Sequence, residues 1–309
     1  MNLIGRKHEI MQLQDFYNSG RAEFVALYGR RRVGKTFLID EFFDRQYAFS
    51  VSGILGGAHI EQMSAFVLAM RQIGYQGDLF NSWLDAFFTL GELLEKRLVA
   101  NQRCVIFIDE LPCFDTPRTG FINAFSHFWN TWAQKHSEVL LIVCGSATTW
   151  MTKNIIDSYG GLHNRITREM HLHPFTLAET EQMLRSMQIN WDRLSILHIY
   201  MIMGGVPYYL SLLNQGESVA QAVDRLCFSA NASLQTEYKR LFASLFKSPE
   251  PYLDIVQVLS TTKKGMSRDD ILRALGRKDN GHVSEYLQNL IKCDFVRYYF
   301  VKTKKVKKN

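Results

Sequence analysis

No stretch of the 309-residue sequence stays apolar for the ~18 residues that a membrane-spanning helix needs. The opening Met1-Asn-Leu-Ile-Gly-Arg-Lys-His-Glu9 is too polar for a secretory signal, so the cytosol is the default location and no membrane partner is expected. Cysteine is scarce and scattered. Cys104, Cys113, Cys144, Cys227 and Cys293 are odd in number and lack CxxC spacing, which favours reduced structural thiols over a disulfide framework or a zinc site. His163, His171 and His173 lie close together but without the Cys/His/acid spacing of a metal site. Internal repeats are missing, low complexity is confined to the Lys-rich end, and no Ser/His/Asp arrangement can be assembled.

What is present is ample apolar material. Hydrophobic residues make up 47% of the chain, enough for a sizeable core in two or three domains. The 21% of charged residues argues against global disorder. The formal charge of +6 is unevenly spread: residues 250–309 hold 13 Lys/Arg against 7 Asp/Glu, while residues 1–249 hold 23 of each. A neutral body with a basic end points to separate tasks.

Periodicity supplies the outline. Residues 6–18 read as a helix with Ile10, Leu13 and Tyr17 on one face. Glu23–Tyr28, Cys104–Ile108 and Val139–Cys144 read as buried parallel strands, with a further strand at Gln46–Val51. Helical patterns cover 35–45, much of 60–100, and 118–136, where Phe121, Phe125, Phe128 and Trp132 form a core face. Strands alternating with helices define an α/β sheet with right-handed crossovers. From Pro174 to about 248 the pattern is helical, interrupted at Met203-Gly-Gly-Val-Pro-Tyr208. Beyond 250, three short helices (251–261, 268–275, 281–292) and a β pair over 294–302 outline a winged helix-turn-helix, with Ser267 and Asp270 as a capping box.

The chemistry begins at Gly29-Arg-Arg-Arg-Val-Gly-Lys-Thr36, which matches the full P-loop pattern between an apolar strand and a helix. Its backbone N–H groups and the helix N-terminus suit phosphates. Lys35 is placed to reach the β- and γ-phosphates and Thr36 to ligate Mg²⁺, so ATP and Mg²⁺ are the expected cofactors. Arg30, Arg31 and Arg32 receive no catalytic role. The strand at 104–108 ends in Asp109-Glu110. Asp109 is placed to hold Mg²⁺, and Glu110 to polarise the attacking water. After the strand at 139–144, Ser146 is a candidate for touching the γ-phosphate or water, with an ordinary strand-to-loop turn as the alternative. Thr152-Lys153-Asn154-Ile155 lacks the final aspartate of a guanine signature, which disfavours a GTPase.

With these residues assembled, the chain resembles the prokaryotic ATPases, abundant in archaea and Bacteroidetes, that sit near the AAA+ and signal-transducing (STAND) NTPases. Ile4-Gly5-Arg6 with Glu9 is similar to the family's opening motif beside the adenine. Tyr28–Thr36 is close to its P-loop, Ile108-Asp-Glu-Leu111 to its Walker B, Val143-Cys-Gly-Ser146 to its sensor strand, and Gly204-Gly-Val-Pro207 to its lid turn. The resemblance implies an ASCE-type parallel sheet over 1–174, a helical lid over 175–248 and a winged helix over 249–309. It implies nucleotide contacts at Gly5, Arg6, Gly29, Val33, Gly34, Lys35, Thr36, Phe37 and Pro207. It further implies an arginine finger, generally in a Gly-Arg pair. Here the pair is Asn164-Arg165, making Arg165 the candidate and Arg168 its rival. Relatives often continue into a nuclease-like domain; the chain stops at Asn309, so no nuclease activity is expected.

The helix at 281–292 sets Val283, Tyr286, Leu287 and Leu290 against a polar face of His282, Ser284, Glu285, Gln288, Asn289 and Lys292. With Lys302, Lys304, Lys305, Lys307 and Lys308 it could meet DNA; intramolecular docking is the competing reading. The function expected is an ATP-hydrolysing, nucleotide-driven switch. The alternative is a nucleic-acid-binding regulator gated by nucleotide with little turnover. A small-molecule kinase is disfavoured by the adjacent carboxylates. A homo-oligomer or a protein partner is compatible with either reading.

Overall fold

The computed structural model describes residues 3–146, 148–156, 162, 164–246, 248–276 and 281–299. Strands β1 (Glu23–Tyr28), β2 (Phe49–Ser52), β3 (Cys104–Asp109), β4 (Val139–Gly145) and β5 (Arg168–His171) form one parallel sheet in the order β2-β3-β4-β1-β5. The strand between β1 and β3 is β4, the ASCE arrangement that the family resemblance implies. Because strand side chains alternate, each apolar run feeds both faces. Phe24, Ala26, Ile106, Ile108, Leu141 and Val143 face helices α3 (His59–Gln72), α4 (Trp83–Glu95) and α5 (Phe121–Thr131). Val25, Leu27, Val105, Phe107, Leu140 and Ile142 face α1 (Lys7–Tyr17) and α2 (Lys35–Phe43).

Phe121, Phe125 and Phe128 pack into an aromatic cluster with Trp83 and Phe87. Trp132 is only half-buried, and its indole N–H donates to Glu95 at 2.7 Å. The sequence reading does not anticipate β5. Arg168-Glu-Met-His171 has one apolar side chain, so it carries no strand pattern, and only pairing with β1 reveals it.

The chain divides into two compact units, Met1–Gln235 and Thr236–Asn309. The first includes a short α6 (Thr148–Met151) and a helical layer with its own core: α7 (Leu177–Ser186), α8 (Arg193–Met203), α9 (Pro207–Leu210) and α10 (Val219–Val223). The second comprises α11 (Glu237–Leu245), α12 (Glu250–Ser260), α13 (Arg268–Ala274) and α14 (His282–Lys292) around Phe242, Tyr252, Ile255, Ile271 and Leu290. This unit starts at Thr236 rather than near 249 because α11 belongs to its core: the Phe242 ring lies 4.6 Å from that of Phe295 and 5.8 Å from that of Phe246. Ser267 and Asp270 do form the expected capping box. The expected β pair over 294–302 does not form within the described residues 294–299, and residues 300–302 and the terminal lysines lie outside them.

The turn between α8 and α9 allows a controlled test of packing. Gly204 and Gly205 share φ +67, but a Cβ on Gly204 meets nothing within 4 Å, while one on Gly205 falls 2.2 Å from the Phe175 carbonyl oxygen. Gly204→Ala should cost about 1 kcal/mol for its backbone alone, and Gly205→Ala about 2–4 kcal/mol, read by urea denaturation. Equal costs would show that the Phe175 contact is soft.

Candidate functional site

Strand register brings three loops to one edge of the sheet. Tyr28 lies opposite Gly145 and Ile108 opposite Val143, so Gly29, Asp109-Glu110 and Ser146 emerge side by side. Gly29 is forced to be small, because a Cβ there would fall 2.2 Å from the Leu172 carbonyl oxygen of the segment after β5.

Four of the loop's carbonyls already have partners. Lys35 is buried and its Nζ donates to the Gly29 and Arg30 carbonyls at 3.0 and 3.1 Å. The Tyr208 N–H approaches the Arg32 carbonyl at 3.5 Å, and Arg6 Nη2 donates to the Val33 carbonyl at 2.9 Å. Carbonyls held this way leave loop N–H groups for an anion.

Thr36 Oγ1 donates to Asp109 Oδ2 at 2.7 Å. A hydroxyl and a carboxylate converging from two elements are the hard oxygen donors that Mg²⁺ prefers, so these residues fit the ion. Glu110 adopts the left-handed conformation (φ 46°, ψ 45°) directly after β3, and its N–H donates to Asp109 Oδ1 at 2.9 Å. Its carboxylate accepts the Ser146 hydroxyl at 2.9 and 3.0 Å and the Ser146 N–H at 3.3 Å. Ser146 is therefore a partner of Glu110, a contact that sequence patterning does not anticipate. Nearby, burial pushes the Cys113 thiol up to about 11 and Cys144 well above its ordinary value, so neither is a ready nucleophile.

A largely apolar cleft of about 150 Å³ adjoins the loop, lined by Leu3, Ile4, Arg6, Val33, Gly34, Phe37, Leu38, Phe175, Met183 and Pro207. Its apolar lining with one buried guanidinium at the wall is the kind of surface that holds a small, largely apolar ligand group. Arg6 is buried at its wall. Besides Val33 it binds the His173 carbonyl at 2.7 Å and Glu9 at 3.4 Å, and lies 4.6 Å from the Phe175 ring centroid. Burial lowers the Arg6 pKa against the opposing pull of Glu9 and Glu179. Its own N–H donates to Glu179 Oε1 at 2.9 Å. Burial alone would raise the Glu179 carboxyl, but hydrogen bonds from Arg6 and Thr176 hold it below its usual range. A Cβ added at Gly5 would fall 2.7 Å from Oε1 of the same carboxylate, so the position admits no side chain without displacing it.

The structure thus gathers Arg6, Val33, Gly34, Phe37 and Pro207 at the cleft, and Lys35, Thr36, Asp109, Glu110 and Ser146 at the loop. Arg165 is exposed and precedes β5; His171 pairs with Tyr28 beside the loop, so six residues, roughly 20 Å of extended chain, separate Arg165 from that end of the sheet. Within one chain it does not join the site. Arg168 is committed to Glu23 at 3.3 Å and lies 5.2 Å from the Phe16 ring centroid. Sequence pattern alone does not point to Phe175, Glu179 or Tyr208 as neighbours of the site. Only Glu179 carries a local signal, the Thr176-x-x-Glu179 capping box.

Sheet order, P-loop and strand-end carboxylates define a P-loop ATPase fold. Residues 3–213 match the family described as an ATPase domain predominantly from Archaea, and the chain belongs to that family. An uncharacterized protein of Methanocaldococcus jannaschii, MJECL04, is 23% identical over 98% of this chain; the chain spans 64% of that relative's length. An uncharacterized ATP-binding protein of the same organism, MJ0423, is 44% identical over 43 residues, 14% of this chain and 73% of that protein. The fold is similar to the Walker-type ATPase PABY2304 of Pyrococcus abyssi, with TM-score 0.65 and 19% identity, covering 94% of this chain and 90% of that one. It is also similar to the Aeropyrum pernix ORC2 protein, solved as ADPNP–ADP complexes, with TM-score 0.61 and 15% identity, covering 94% and 87%. No helix among the described residues is long and apolar enough to cross a membrane.

Proposed function

We propose that this chain binds ATP with Mg²⁺ and hydrolyses it as a nucleotide-driven switch. The observation that carries this reading is the pairing of Thr36 with Asp109 at 2.7 Å, one residue from a Glu110 carboxylate fixed by Ser146. Thr36 and Asp109 would hold Mg²⁺, which neutralises phosphate charge when bound. Lys35 would leave the Gly29 and Arg30 carbonyls for the β- and γ-phosphates. Glu110 would accept a proton from the water whose oxygen bonds to the γ-phosphorus as the bond to the β-phosphate oxygen breaks. Arg165 could act only from a second copy of the chain, stabilising charge on the transferring group. Helices α7–α10 would serve as a lid, since Pro207, Met183 and Phe175 wall the base cleft.

The decisive measurement is Mg²⁺-dependent binding of a fluorescent ATP analogue. Wild type should bind more tightly with Mg²⁺ than with EDTA, and Thr36→Val or Asp109→Asn should cut that gain at least tenfold. An undiminished gain in either variant would remove the metal assignment. A nucleic-acid-binding regulator with little turnover is the second reading. It draws on the basic segment 250–309 and on the order α12–α14, read as the helices of a winged helix-turn-helix.

A further inference from the structure

Among the loop arginines, Arg32 reaches the helical layer. Its backbone is left-handed (φ 71°), and its guanidinium carbon lies 4.0 Å from the Tyr208 ring centroid and 5.9 Å from that of Tyr209. The Tyr208 N–H approaches the Arg32 carbonyl at 3.5 Å, so backbone and side chain of one loop residue meet one residue of α9. Tyr208 follows Pro207 of the base cleft. The turn carrying both is fixed to Phe175, whose N–H donates to the Gly205 carbonyl at 2.8 Å. Tyr209 is buried in the core of the helical layer, while Tyr208 is half-exposed and makes little of that core. A cation over an aromatic face is attracted by the ring's quadrupole and needs no acidic partner.

We infer that Arg32 and Tyr208 form a latch between the P-loop and the lid, and that this latch sets how long nucleotide stays bound. The inference rests on the nucleotide-site reading above. With the latch closed, Pro207 stays over the base cleft while the loop that cradles phosphate keeps its shape. Nucleotide departure then requires the ring and guanidinium to part. Linkage makes the effect reciprocal: nucleotide that holds the loop in this shape also favours the closed lid by the same factor. Arg32 and Tyr208 are positioning residues, since neither needs to touch the reacting phosphate.

The test is stopped-flow dissociation of mant-ADP from the full chain, chased with unlabelled ADP. Arg32→Ala and Tyr208→Ala should each raise the dissociation rate about three- to tenfold, with association changed less than about twofold. The double variant should dissociate no faster than the faster single, because both remove one contact. Tyr208→Phe keeps the ring and should restore the slow rate. An unchanged rate in either alanine variant, multiplicative effects in the double, or Tyr208→Phe behaving like Tyr208→Ala would overturn the latch. Failure of wild type to bind mant-ADP would instead overturn the nucleotide site itself, and the latch with it.

Discussion

Glu110→Gln should leave ATP affinity near that of the unaltered chain while slowing hydrolysis by about 10²–10³-fold. The amide keeps the size of the carboxylate and can still engage Ser146, whose hydroxyl and N–H both reach Glu110. What it loses is the capacity to take a proton from water. Single-turnover hydrolysis beside equilibrium binding separates the two effects. Turnover within a few-fold of normal would transfer the base role elsewhere, and a parallel loss of affinity would mean that the substitution disturbed Asp109, whose Oδ1 accepts the Glu110 N–H at 2.9 Å.

Lys35→Ala should weaken ATP binding at least about tenfold and reduce hydrolysis by about 10³-fold, because one charge-assisted contact serves both bound phosphate and the transition state. Two Lys35 hydrogen bonds, to Gly29 and Arg30, also shape the loop without ligand, so the variant should lose some stability in a nucleotide-free melt. Titration by calorimetry and phosphate release would report the two losses. Unchanged affinity for ATP-Mg²⁺ would remove the proposed site.

The strands were legible because β1, β3 and β4 are buried on both faces and so carry uninterrupted apolar runs. The P-loop, Asp109 and Glu110 were legible because spacing after such strands fixes where backbone and carboxylates emerge. β5 was not: an edge strand with one buried apolar side chain has no periodicity to read. The Ser146–Glu110 contact depends on residues 36 apart in sequence, and Arg32–Tyr208 on residues from different layers. Both depend on strand register or layer packing, which local pattern does not encode. Arg165 illustrates the converse: its place after β4 is visible in sequence, but not that β5 then lies between it and the loop.

Arg6 has a consequence for the order of assembly. Its bonds to His173 and Glu179 close chain separations of 167 and 173 residues. A ribosome releases the N-terminus first, yet the wall that Arg6 builds cannot form until β5 and α7 have emerged. The P-loop therefore leaves the ribosome long before the Val33 carbonyl gains its fully supported partner. The cleft beside the P-loop closes late in folding, by the slow route of long-range contacts, although Leu3, Ile4, Arg6 and Val33 of its lining lie near the start of the chain.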